Sequence, residues 1–178
     1  MKELEQKFND LSSDSKVLFL LSSTNLIINN LSKSQGFDTA LESIKNCWEW
    51  LNTKKICADD LYAYLENLDE TGVLSFMSIE ENPDKLKYWN CVGNAIAYTV
   101  HEAYNFENQY AVPQTIENVD YDSVDEFISN FNNCGSMLNV SELMEYLSSI
   151  DDLDISCKIH KTYIFLKDKH ISFYDASI

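Results

Sequence analysis

The chain has 178 residues, 45% of them apolar, with four glycines and two prolines, enough for a packed core and unlike a disordered or disulfide-stapled chain. Its formal net charge is −16 and it contains no arginine, so its field repels nucleic acid and anionic lipid and attracts a basic partner. There is no run of about 18 apolar residues that would span a membrane, and the charged opening MKELEQKFND lacks an apolar signal segment, which points to the cytoplasm.

Helical spacing dominates the first 150 residues. Leu4, Phe8 and Leu11 predict a short first helix. Ser13 or Asp14 caps a second, with Val17, Leu18, Leu21, Ile28 and Leu31 among its apolar positions and Gly36 in its exit turn. Asp38 or Thr39 opens a third, in which Leu41, Ile44, Trp48 and Leu51 share a face and Thr39 and Glu42 have capping-box spacing. Residues 58–68 and 73–79 read as two shorter helices. Pro83 suits the first turn of a long helix that carries WNCVGNAIAYTVHEAY, with Asp84 at its positive end. Residues 107–121 contain Pro113 and no clear period, and read as a loop. Residues 123–131, with capping-box spacing from Ser123 to Glu126, and 141–150 read as helices, with Gly135 in the turn between them.

After DDLD the composition shifts to β-branched and aromatic residues that alternate, ISCKIHKTYIF and HISFYD around LKDK. This predicts a β-hairpin over residues 155–176, docked on the helices because a lone hairpin is marginal. The expected fold is therefore mainly α: a single domain over residues 1–178, with a bundle-like helical body over 1–150 and a C-terminal β-hairpin packed on it. Charge is uneven along this plan. Residues 1–87 hold nine lysines against 15 acids, residues 88–157 hold 12 acids and no lysine, and residues 158–178 hold four lysines and two acids.

Catalytic chemistry finds little support. Cys91 and His101 lie ten residues apart on one helix, about 15 Å of rise, too far for a hydrogen-bonded dyad. Trp89, Val92, Ile96, Val100 and Ala103 recur at core spacing around them. His101 and Glu102 are followed by Asn105, so there is no H-E-x-x-H, and His160 and His170 are not opposite on the expected hairpin. Cys47, Cys57, Cys91, Cys134 and Cys157 make no C-x-x-C motif and read as reduced thiols. The adjacent acids Asp59 with Asp60, Glu80 with Glu81, and Asp151 with Asp152 would need a cleft to act as a pair. No phosphate loop is present, and no metal or cofactor is called for.

Surface recognition is better represented. In DDLYAYLENLDETG, Leu61, Tyr64, Leu65 and Leu68 form an apolar stripe, while Asp59, Tyr62, Glu66 and Asp69 repeat at helical spacing on a second, acidic face. In CWEWLN, Trp48 joins the core stripe and Trp50 points elsewhere, to a neighbouring helix or to the surface as a binding anchor. The candidate partner-binding residues are Trp50, Asp59, Asp60, Tyr62, Glu66, Asp69 and Glu70.

CWEWLN, DDLYAYLENLDETGVLSF and YWNCVGNAIAYTVHEAY, in this order and spacing, resemble the sixth immunity-protein family of bacterial polymorphic-toxin systems. The resemblance runs from about Leu11 to Phe131, and Trp48, Asp60, Tyr62, Tyr64, Asp69, Gly72, Trp89, Asn90 and Tyr98 fit the family pattern. It implies a mostly helical, non-enzymatic cytoplasmic protein that neutralises a cognate toxin, such as a contact-delivered one, by direct binding. Many such toxins are nucleases, whose grip on phosphate demands a basic surface that an acidic inhibitor complements. The resemblance implies no catalytic residue; no cofactor is expected, and the acidic charge argues against direct contact with nucleic acid or membrane. The alternatives are an enzyme with a cleft site that spacing does not reveal, and an acidic mimic of nucleic acid.

Overall fold

The computed structural model describes residues 2–117, 119, 121–169 and 171. Helix α1 (Lys2–Asn9) is followed by α2 (Ser13–Ile27), which tightens into a 3-10 turn over Ile28–Leu31. Then come α3 (Phe37–Thr53), α4 (Ala58–Leu65), α5 (Val73–Ser78), the long α6 (Pro83–Phe106), the single turn α7 (Gln114–Glu117), α8 (Tyr121–Asn133), α9 (Val140–Ser149) and α10 (Ile155–Asp168).

Two helices organise the packing. Helix α6 starts as its sequence requires: Asn82 caps it by accepting from the Asp84 N–H at 3.0 Å, and Pro83 takes the first helical position. Trp89, Val92, Ile96, Val100 and Ala103 are buried along it, and α2, α3, α4, α5, α7 and α8 all pack against it. Helix α2 is buried on nearly every side, from Val17 to Ile27, which explains its lack of a single apolar stripe. It lies between α6 and α3 and also meets α9 and α10. Phe8 sets its ring edge-on to Phe19 at 5.9 Å and to Tyr98 at 5.6 Å, and Phe19 meets Phe127 at 6.1 Å, tying α1, α2, α6 and α8 into one cluster.

The expected C-terminal β-hairpin is wrong: residues 155–168 form helix α10, and no strand occurs among the described residues. Asp154 caps it, accepting from the Cys157 N–H at 3.0 Å. Lys158, Ile159, Thr162 and Leu166 are buried against α2 and α3, a spacing of helical and not strand period. Cys157, which alternation placed on an apolar face with Ile155 and Ile159, is exposed. Composition misled here because β-branched residues only weakly disfavour a helix that has a surface to pack on. The second expected strand, with His170 and Phe173, falls largely outside the described residues.

Smaller differences have local causes. Ser12, not Ser13 or Asp14, caps α2. Both expected capping boxes fall inside helices, since α3 begins at Phe37 behind Gly36 and α8 begins at Tyr121. Gly36 has φ +82°, and a Cβ there would sit 2.1 Å from the Phe76 ring, so conformation and space both select glycine. Residues 107–121 contain the short α7, whose Ile116 is buried.

Candidate partner-binding surface

Helix α4 begins where Glu107, at the end of α6, accepts the Ala58 N–H at 2.8 Å and sets a carboxylate at its positive end. It stops at Leu65, three residues short of the expected end. The cause is Asn67. Its amide nitrogen donates to the Ala63 carbonyl at 2.8 Å, and its Oδ1 accepts from the N–H groups of Asp69 and Thr71, each at 3.1 Å. A side chain that bonds its own neighbouring backbone competes with the helix and folds the chain into a turn. Gly72 then passes so close to the end of α4 that a Cβ would lie 2.6 Å from the Leu65 oxygen.

This turn redistributes the acidic face. Asp59 accepts the Tyr104 hydroxyl at 2.6 Å. Tyr62 donates to Glu66 at 2.7 Å, and Thr115 of α7 lies 3.0 Å from the same hydroxyl and 3.1 Å from Glu66. Tyr64, on the other flank, donates to Glu42 of α3 at 3.2 Å. Burial first, and then the neighbouring carboxylate, pushes the pKa of Tyr104 and Tyr64 up; burial and Glu66 do the same for Tyr62 against the Thr115 hydroxyl. These phenols stay protonated and act as donors. Glu66 therefore keeps its link to Tyr62 although it lies beyond the helix, while Asp69 and Glu70 stand exposed on the turn.

Two concavities flank that turn, and a third adjoins both of them. One lies between α3 and α4, lined by Glu42, Asn46, Ile56, Asp60, Ala63 and Tyr64, and shares Asn67 with the next. The second runs between the turn and α5, past Glu66, Leu68, Glu70, Phe76 and Ile79. The third, around Gly36, Phe37 and Asp38, shares Thr39 with the first and Gln35 and Phe76 with the second. Five carboxylates and no lysine line the three together. Ser34 and Trp89 both donate to Glu80, at 2.6 and 3.1 Å, and lock this edge to the start of α6. Those donors hold the Glu80 carboxyl below its ordinary range, against a smaller effect of burial.

The structure thus brings Asp60, Glu66 and Glu70 to the concave surface, turns Asp59 and Tyr62 toward α6 and α7, and leaves Asp69 at the tip. Trp50 is not at the surface: it is 2% exposed, edge-on to Phe106 at 6.4 Å, with the Lys54 ammonium 3.6 Å above its ring. Leu68, expected in the buried stripe, is fully exposed. Glu42, Phe76 and Ile79 were missed because they come from other helices, though the Asn, Asp and Gly of NLDETG were a legible turn signal.

Elsewhere the Cys91 thiol is buried on α6, 3.9 Å from the Phe127 carbonyl. Its hydrogen bond with Cys134 and its burial raise its pKa, away from the thiolate a nucleophile needs. Among the described residues no group of three or more His, Cys, Asp or Glu is placed to hold a metal, and no helix is long and apolar enough to cross a membrane. A protein-family model described as "Immunity protein Imm6" matches residues 15–134, a span that contains α4, its turn and all three concavities. Neither the curated proteins nor the solved structures give a match.

Proposed function

Since the chain belongs to the Imm6 family of immunity proteins, which act against bacterial toxins, we propose that it neutralises a basic, nuclease-type toxin domain by binding it through the surface around α4 and the following turn. Asp60, Glu66, Asp69 and Glu70 are the contact residues on this reading, joined by Glu42. The observation that carries it is the row of concavities lined by five carboxylates without a lysine, inside the family-matched part of the chain. Such a surface speeds encounter with a cationic partner and disfavours anionic ones. The protein acts by occupying its partner and not by chemistry of its own, a reading supported by the protonated, buried state of Cys91 and by family membership.

Co-expression with a cognate toxin domain tests the proposal. Growth should be rescued, the two proteins should co-purify, and the association rate should fall steeply with added salt. A toxin that neither co-purifies nor is neutralised would overturn it; so would tight binding with a rate indifferent to salt, because the acidic surface would then play no part.

A further inference from the structure

Leu68 stands out on the α4–α5 turn because it is fully exposed on a turn whose backbone Asn67 holds. A single exposed leucine is ordinary on a protein surface. Here Asn67, the residue before it, donates to the Ala63 carbonyl and accepts the N–H groups of Asp69 and Thr71, and the Thr71 hydroxyl donates to Asn67 as well at 3.2 Å. Glu70 adopts φ +55°, completing the turn. Ile79, 53% exposed, lines the same groove, together with the half-buried Phe76. Glu66 and Glu70 line the same groove, and Asp69 follows Leu68 in the chain. Holding the turn backbone in place lowers the ordering cost of binding at Leu68, which favours its use as an anchor.

Resting on the toxin-binding reading, we propose that the groove between Leu68 and Ile79 takes a cationic amphipathic segment of the toxin domain. An apolar side chain of that segment packs on Leu68, Phe76 and Ile79, and its lysines or arginines meet Glu66 and Glu70. The occupant follows from charge complementarity: an apolar floor alone would suit any hydrophobic segment, but its acidic rim rejects acidic ones and favours a basic one. The apolar pair holds the complex together, and the rim governs how fast it forms.

The test uses the full chain, a cognate toxin domain, and two synthetic amphipathic peptides, one of Lys and Leu and one of Glu and Leu. The double variant Leu68→Ala with Ile79→Ala alters exposed side chains, and its circular dichroism and melting temperature should match the native protein. It should bind the toxin at least tenfold more weakly, through faster dissociation, with an unchanged salt slope. Glu66→Gln with Glu70→Gln should instead slow association and flatten that slope. By NMR the Lys/Leu peptide should shift the amides of residues 66–79 and the Glu/Leu peptide should not. A native protein that neutralises the toxin while the Leu68/Ile79 variant binds equally well overturns the groove and leaves the toxin reading standing. A Lys/Leu peptide that shifts residues 66–79 beside a toxin that does not bind supports the groove chemistry and overturns the toxin reading.

Discussion

Carboxylates on two sides of this molecule are answered in different ways. Around α9 and α10, lysines answer them: Lys158 meets Asp151 at 2.7 Å, Lys7 meets Glu145 at 2.8 Å, and Lys169 meets Glu142. Around α4, hydroxyls answer them: Tyr104 to Asp59, Tyr62 to Glu66 and Tyr64 to Glu42. Among the described residues no lysine lies within ion-pair distance of these acids or of Asp60, Asp69 and Glu70. A hydroxyl orients a carboxylate without cancelling its charge, so the α4 side keeps its negative field and the terminal layer spends its own on internal adhesion. The difference follows the family boundary, because α9 and α10 lie beyond residue 134.

The comparison is tested hardest at Lys158. Its side chain is 5% exposed, and its ammonium bonds Asp151, Ser12 and Ser15, pinning α10 and the α9–α10 link to the start of α2. Lys158→Met leaves Asp151 without its cation and should lower unfolding free energy by about 3 kcal/mol, read from urea denaturation. Burial alone would raise the Asp151 pKa; Lys158 and the Ser12 and Ser15 hydroxyls outweigh it and hold the carboxyl well below its usual range. A depressed folded pKa means that the stabilisation is complete above the unfolded value of about 4 and is lost as pH falls below it. Asp151→Asn should therefore flatten the decline in urea midpoint between about pH 4 and pH 2.

Gly72 probes the other side. Gly72→Ala drives a methyl group against the Leu65 carbonyl, with about 2 kcal/mol of destabilisation. Because the turn must shift, toxin affinity should fall too, whereas Lys158→Met, once folded, should bind normally. Equal loss of binding in both would erase the division between a recognition side and a structural layer.

Cys91→Ala tests whether the α6 thiol is only packing. A small cavity against α8 should cost about 1 kcal/mol in a denaturant titration, with toxin protection unchanged. Loss of protection in a folded variant would place function in the interior.

The smallest effect is expected at Tyr104→Phe. Asp59 is exposed, so water replaces the lost hydroxyl and stability should change by about 0.5 kcal/mol. A loss near that of Lys158→Met would show that hydroxyls hold the α4 side as strongly as lysines hold the terminal layer.

Much of the fold is legible in the sequence alone. Helical periodicity located the helices from α1 to α6, α8 and α9, because each buries one or more stripes at i, i+3 and i+4 whatever it packs on. Pro83 marked the start of α6, and the aromatic and acidic stretches from CWEWLN to YWNCVGNAIAYTVHEAY carried the family. Net acidity and the location of its cation-free stretch were fixed by residue counts. Tertiary structure decided the rest, where local preference was weak. Residues 155–168 could alternate as a strand or wind as a helix, and the surfaces of α2 and α3, together with the Lys158 and Asp151 pair, select the helix. Trp50 had two possible environments, and Phe106 and Lys54 supply the buried one. Which carboxylates are answered by tyrosines, which by lysines and which face solvent depends on residues up to 139 positions apart, as with Ser12 and Asp151, and a local pattern holds no record of such partners.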